Sequence, residues 1–280
     1  MVLNLDKQFN PYPTETAISF ESFTFSGGEP HIKILNEVAK QESVTVTHRI
    51  QNFEDFGLLL LAIDALKGMG VKSITLLIPY FPAARQDRRM INGEPLSVKV
   101  YAEILNALNL ESIAVFDAHS EVTLALLENS IAISNHAYIK QVLSSLPKDT
   151  LLISPDGGAL KKIYKLAAFL QDYEVIECSK SRDVKTGKLS GFQVYADDLQ
   201  GKDCLIVDDI CDGGGTFLGL ADQLKAKGAG KLHLAISHGI FNKGTETLLS
   251  KFQTIHCTNA FSTLESTERF IQHSLTQLLK

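Results

Sequence analysis

The sequence has no tryptophan and only four cysteines and eight prolines among its 280 residues. Cys178, Cys204, Cys211 and Cys257 are dispersed, with no C-x-x-C pair and no histidine at zinc-ligand spacing. That argues against a disulfide framework or a zinc module and reads as small buried hydrophobes in a reducing compartment. No long apolar run is present either. The longest aliphatic stretch is 58–63, far below the roughly 20 residues of a membrane-spanning helix. The first residues include Asp6 and Lys7 but no basic start followed by an apolar core, so the expectation is a cytoplasmic protein with no membrane partner. Positive charge is not in excess: 27 Lys and Arg stand against 32 Asp and Glu, a formal balance of -5. A nucleic-acid binder needs a basic face to displace counterions, so no nucleic-acid partner is expected.

What is present is alternation. Apolar strand patterns at 43–50, 72–79, 112–116, 150–153, 174–178, 204–207 and 232–237 are interleaved with helical patterns at 55–67, 97–108, 159–170 and 217–227. A last helix is expected over 265–279. Strands alternating with helices of this length imply βαβ units and an α/β fold with mainly parallel sheets. The polar stretch Ser134-Asn-His136 divides the chain into a domain of 1–136 and one of 137–280.

One segment concentrates chemistry: Cys204-Leu-Ile-Val-Asp-Asp-Ile-Cys-Asp-Gly-Gly-Gly-Thr216. An apolar strand ends in two acids, Asp208 and Asp209, and turns through Asp212, Gly213, Gly214, Gly215 and Thr216 into a helix. Glycine backbone N–H groups approach an anion closely, and the helix start adds favourable partial charge. The acids would repel a phosphate, so they suit ribose hydroxyls or a metal. Three glycines alone are no more than a tight turn. Two adjacent carboxylates point to opposite sides of a strand, so one of them is costly to bury without a ligand or donor.

This segment resembles the phosphoribosyl-diphosphate (PRPP) binding motif of type I phosphoribosyltransferase folds. Four more segments narrow the resemblance to the ribose-phosphate diphosphokinases: Phe25-Ser-Gly-Gly-Glu29; Ile78-Pro-Tyr-Phe-Pro-Ala-Ala-Arg-Gln-Asp-Arg-Arg89 leading to Glu94-Pro-Leu-Ser97; Phe116-Asp-Ala-His119; and Ser154-Pro-Asp-Gly-Gly158. The resemblance implies two similar α/β domains with the site between them, and magnesium-dependent transfer of a diphosphoryl group from ATP to ribose 5-phosphate. It assigns Phe25, Glu29, Arg85, Gln86 and Asp87 to ATP, and His119 and Asp156 to magnesium. Asp208, Asp209 and 212–216 would hold the ribose phosphate. Lys180 and Arg182 match the Lys-x-Arg pair that opens the family's catalytic loop, with His119 as a third catalytic group. In an extended segment these two cations face the same side. The polar stretch 183–193 suits a lid. A homo-oligomer, dimer or hexamer, is expected, with the Phe25–Glu29 segment reaching a neighbour's ATP.

Two features depart from the family. Gly27 stands where Asp or Asn is usual, and Gly213-Gly214 replaces Thr-Ala in the phosphate turn. The second change predicts a roomier, less polar cradle and suggests a 5-substituted acceptor such as ADP-ribose, which would connect the protein to NAD salvage. A non-catalytic PRPP-sensing homologue and a simple phosphoribosyltransferase are the rival classes.

Overall fold

The computed structural model describes residues 1–38, 42–182 and 189–279. The chain runs β1(Val2–Asn4), β2(Phe20–Thr24), β3(Pro30–Ile34), β4(Ser43–Thr47), α1(Phe53–Gly68), β5(Ser73–Ile78), α2(Ser97–Asn106), β6(Ser112–Phe116), α3(Glu121–Leu126) and β7(Ser130–Ile133). It continues α4(His136–Leu143), β8(Leu151–Ser154), α5(Leu160–Leu170), β9(Val175–Arg182), β10(Leu189–Val194), β11(Cys204–Cys211), α6(Gly215–Ala226), β12(Leu232–Gly239), α7(Glu246–Leu249), β13(Thr254–Thr258) and β14(Phe270–His273). The architecture is α/β, with parallel sheets flanked by helices.

The chain forms two compact units. The first takes 1–134 with 260–263 and 274–279. Its sheet has the order β1-β4-β5-β6-β7, all pairs parallel. Val44, Val46, Leu76 and Ile78 are fully covered, packed in one core with Leu59, Ile63 and Leu66 of α1. Helix α1 starts at Phe53 because Asn52 and Asp55 cap it reciprocally. Its hydrogen bonds link the Asp55 N–H to the Asn52 side-chain Oδ1 (2.9 Å) and the Asn52 N–H to the Asp55 carboxylate (3.3 Å). Strands β2 and β3 make a separate antiparallel hairpin whose β3 packs on α1.

The second unit takes 135–259 and 264–273. Its sheet has the order β10-β9-β8-β11-β12-β13-β14, parallel except for the β9–β10 pair. From β8 the order grows one way through β9 and the other way through β11, so the topological switch point lies between β8 and β11. That is where open parallel sheets place their ligands.

Three expectations change. Strand β11 runs on to Cys211, because β12 pairs with it as far as Cys211↔Gly239. Asp208 and Asp209 therefore lie inside the strand, past the last β8 pairing at Ile206↔Ile153. Strand β9 likewise extends to Arg182, pairing with β10 through Arg182↔Leu189.

The helix expected over 265–279 is absent. Its residues form the parallel edge strand β14 and a short 3-10 turn, Leu275–Gln277. The Thr267 hydroxyl accepts from the N–H groups of Arg269 and Phe270, and the Ser266 hydroxyl from that of Gln272. These bonds offer the backbone an alternative to a helix. Leu275 is buried with Phe9, Leu77, Phe116 and Ala260 in a core cluster of the first unit.

Candidate active site

The cysteines are all buried and unbridged. Burial pushes each thiol up to about 12, which leaves them as unreactive packing groups.

In the second unit the site is built around the switch point. Asp156 follows β8, and its Oδ1 accepts from the N–H groups of Gly158 (2.8 Å) and Ala159 (3.2 Å). Those bonds fix the Asp-Gly-Gly turn into α5. Its other oxygen, Oδ2, lies 2.7 Å from the Lys180 ammonium. The same ammonium donates to the Thr216 hydroxyl at 3.1 Å. Lys180 on β9 thus joins the turn after β8 to the turn after β11, and it is brought there by β8 pairing with both strands. Arg182 ends β9, while residues 183–188 of the expected lid lie outside the described residues.

The acids of β11 are differently placed. Asp209 is 7% exposed and takes a 3.2 Å ion pair from Lys162 of α5. Asp208 accepts the Asp209 N–H at 2.9 Å. Its carboxyl is pushed well above the usual carboxylate range, first by burial and then by the negative charges of Asp209 and Asp156. Some of its surface stays accessible, but the surrounding protein strips it of solvent on the other sides.

The turn Asp212–Thr216 leads into the 12-residue helix α6, with Gly214 in the left-handed region at φ 74°. The surroundings of the two glycines that take the place of Thr-Ala differ. A Cβ on Gly213 would lie 3.4 Å from Oδ1 of Asn242, 3.6 Å from Cε of Lys243 and 3.7 Å from its Cδ. One on Gly214 would meet the Leu248 side chain at 3.0 Å. Gly213 thus faces polar groups of the next loop at ordinary contact distance, while Gly214 faces the apolar Leu248 closely.

In the first unit, Arg85, Gln86 and Asp87 stand in the loop after β5, and His119 follows β6, the parallel neighbour of β5. The two segments therefore extend from the C-terminal ends of adjacent strands. The Arg85 and Gln86 side chains are exposed, whereas Asp87 is 9% exposed and pairs with Arg88 at 3.2 Å. Phe25 and Glu29 close the β2–β3 hairpin, where the Phe25 N–H donates to the Glu29 carbonyl at 2.8 Å. Phe25 is 51% exposed and meets Phe23 edge-on at 4.8 Å. At Gly27 a Cβ would lie 2.5 Å from the Glu29 carboxylate. A neighbouring side chain again takes the place of the missing one.

Lys162, Asn242 and Lys243 were not singled out in the sequence. Lys162 lies in the first turn of the helix after the Asp-Gly-Gly turn, a signal that could have been read. Lys243 and Asn242 come next to the turn through the β11–β12 pairing, which leaves no local pattern.

Magnesium favours oxygen donors, keeps several waters and is commonly shared with substrate phosphates. Among the described residues, no group of three or more His, Cys, Asp or Glu side chains could hold a metal by itself. The Asp156 carboxylate and the charge-starved Asp208 fit such an oxygen-rich, partly hydrated ion. Asp156 would have to exchange its Lys180 partner for the ion, at least in part.

A sheet open at its switch point, with a glycine turn and paired acids beyond it, defines a phosphoribosyltransferase-type α/β protein. The family model for the phosphoribosyl transferase domain matches residues 125–270. That for the N-terminal domain of ribose phosphate pyrophosphokinase matches residues 12–108. The chain belongs to the ribose-phosphate pyrophosphokinase family, a family of enzymes. It is similar to the protein named ribose-phosphate pyrophosphokinase from Pyrococcus abyssi, 31% identical over 84% of this chain and 81% of the relative. The one so named from Thermococcus kodakarensis is 31% identical over 81% of this chain and 80% of its own length. The crystal structure of phosphoribosylpyrophosphate synthetase from Mycobacterium smegmatis has the same fold, with a TM-score of 0.84 at 23% identity over 100% of this chain and 95% of that one.

Proposed function

We propose that the protein transfers the diphosphoryl group of ATP to the 1-hydroxyl of ribose 5-phosphate, giving PRPP and AMP. The observation that carries this reading is the Lys180 ammonium, held at the phosphate turn by Asp156 and Thr216. A protein that only sensed PRPP would have no need of a cation on the transfer path.

In the reaction, the ribose 1-oxygen bonds to the β-phosphorus as the bridge to the α-phosphate breaks. AMP leaves and the hydroxyl proton passes to solvent. Charge grows on the transferring and leaving oxygens, so positioning and cationic stabilisation carry the catalysis. Lys180 moves from Asp156 to the polyphosphate, and Arg182, two residues along the same strand, acts with it. Asp208 and Asp209 accept from the ribose hydroxyls, with Lys162 holding Asp209 in place. The backbone N–H groups of 213–216 and the Thr216 hydroxyl take the 5-phosphate. ATP is assigned to Phe25, Glu29, Arg85, Gln86 and Asp87. A guanidinium plane such as that of Arg85 suits adenine stacking. Magnesium, with His119 and Asp156 as protein partners, would neutralise phosphate charge.

The ATP-site domain is assigned to 1–136 and the ribose-phosphate domain to 137–280, with 260–263 and 274–279 contributing to the first core. The exposed rings of Phe23, Phe25 and His31 support a homo-oligomer in which this hairpin reaches a neighbouring copy. ADP-ribose as acceptor, and with it NAD salvage, rested on a roomy turn. Lys243 beside Gly213 favours the smaller ester. The test is AMP release from ATP in magnesium buffer, with ribose 5-phosphate, with ADP-ribose and with neither. AMP formed only with ribose 5-phosphate supports the reading, and release with ADP-ribose alone replaces the acceptor.

A further inference from the structure

The phosphate turn has a second wall in the loop after β12. The N–H groups of Ile240 and Phe241 donate to the Cys211 carbonyl at 2.9 and 3.1 Å, tying that loop to the end of β11. Phe241 adopts φ 46°, a left-handed conformation that is unfavourable for a non-glycine residue. Its ring is buried over Gly239, where a Cβ would stand 2.2 Å away, and meets Phe270 edge-on at 5.7 Å. Gly244, at φ 72°, closes the turn with an N–H bond to the Phe241 carbonyl at 2.8 Å. The loop is thus a built feature that delivers Asn242 and Lys243 to Gly213.

The stem of Lys243 passes within 3.6 Å of the point a Gly213 Cβ would occupy. Its side chain is exposed, and it forms no ion pair with a carboxylate among the described residues. Lys180, the other cation at this turn, is committed to Asp156 and, in the proposed reaction, to the polyphosphate. The acceptor's 5-phosphate therefore needs a cation of its own.

We propose that Lys243, aided by Asn242, is a specificity-determining residue that binds the 5-phosphate from the Gly213 side and selects a monoester over a 5-substituted phosphate. It supplies the donor that the side chain at 213 lacks. A phosphate monoester carries close to two negative charges at neutral pH, whereas a substituted phosphate loses one ionisable oxygen. A second cation at the turn thus favours ribose 5-phosphate. The inference rests on the proposed ribose 5-phosphate reading.

The test is steady-state kinetics and calorimetric binding of ribose 5-phosphate with Lys243→Ala and Lys243→Arg. The side chain is exposed, so both variants should fold. Loss of a charge-assisted hydrogen bond predicts an about ten- to hundredfold rise in KM and Kd for ribose 5-phosphate with Lys243→Ala. The KM for ATP should hold, Lys243→Arg should keep most of the affinity, and the preference for ribose 5-phosphate over ADP-ribose should shrink. Gly213 is not in the left-handed region and a Cβ there would make ordinary contacts with Asn242 and Lys243, so Gly213→Thr added to Lys243→Ala, which frees the space of the Lys243 stem, should recover part of the loss. Unchanged KM and Kd in an active Lys243→Ala protein overturn the inference alone. Wild-type protein that binds ribose 5-phosphate but releases no AMP overturns the reaction, and the binding data still judge Lys243. Wild-type protein that does not bind ribose 5-phosphate overturns both.

Discussion

The Lys180 ammonium lies 2.7 Å from Oδ2 of Asp156, a pair formed between the end of one strand and the turn after its neighbour. The contact keeps a cation at the glycine turn, and in the proposed reaction that cation moves to the polyphosphate. Preorganised charge of this kind is worth about two to three orders of magnitude in kcat. Lys180→Ala should therefore lower kcat by that factor and leave ribose 5-phosphate binding nearly unchanged. Single-turnover rates together with calorimetry separate the two effects. A variant that turns over at the wild-type rate removes Lys180 from the reaction.

Asp208 should limit stability where it serves binding. Its folded carboxyl titrates above the unfolded one, because burial and the charges of Asp209 and Asp156 oppose ionisation. A raised folded pKa contributes stability that is fully present below the unfolded value and is lost as pH rises through the folded value. Above the unfolded value the carboxyl therefore costs the fold stability. Asp208→Asn should raise the melting temperature of the ligand-free protein by several degrees and weaken ribose 5-phosphate binding at least tenfold. A lower melting temperature with unaltered binding would show that the carboxylate is structural.

A part-buried hydrogen-bonded row crosses the second sheet. His233 Nδ1 pairs with the Thr254 hydroxyl at 2.7 Å, that hydroxyl pairs with His256 Nε2 at 3.0 Å, and His256 Nδ1 faces His273 Nε2 at 3.2 Å. Burial, and then the positive charges that His273 and His233 would carry, hold His256 down to about 4. His233, beside Asp203, and His273 are lowered by burial too. These groups bind protons better when unfolded, so stability is complete above about pH 6.5 and lost as pH falls toward 4. For His256 the loss is about 3 kcal/mol. Denaturant midpoints from pH 7.5 to 4.5 should fall steeply, and His256→Gln should flatten the fall. An equal slope in both proteins would contradict this.

Gly219 of α6 packs against β10, where a Cβ would come within 2.4 Å of the Phe192 ring. Alanine favours helices over glycine by about 1 kcal/mol, but forcing the ring aside costs about 1–3 kcal/mol. Overpacking should win: Gly219→Ala should lower the denaturant midpoint and leave the slope unchanged. A raised midpoint would mean that Phe192 moves freely.

The central strands and helices were legible because parallel sheets are covered on both faces and read as apolar runs. β6 and α5 were placed within a residue at each end. β11 was cut short at Val207, since acids end an apolar pattern although the β12 pairing continues. The β14 segment reads as a helix because Leu275, Leu278 and Leu279 share a helical spacing, but strand pairing and hydroxyl bonds decide the backbone there. The glycine turn, Asp156 and Lys180 were legible as polar groups near strand ends, and the structure brings them together at the switch point. Glu29 over Gly27 and Lys243 beside Gly213 were not, because a glycine in sequence does not say which neighbour fills its place.

The most direct measurement is a phosphorus NMR spectrum of protein incubated with ATP, magnesium and ribose 5-phosphate. The predicted spectrum loses the three ATP signals in step with the growth of an AMP singlet and of the two doublets of a diphosphate on the ribose 1-oxygen. Unconsumed ATP, or ADP with inorganic phosphate in place of AMP, would contradict the account.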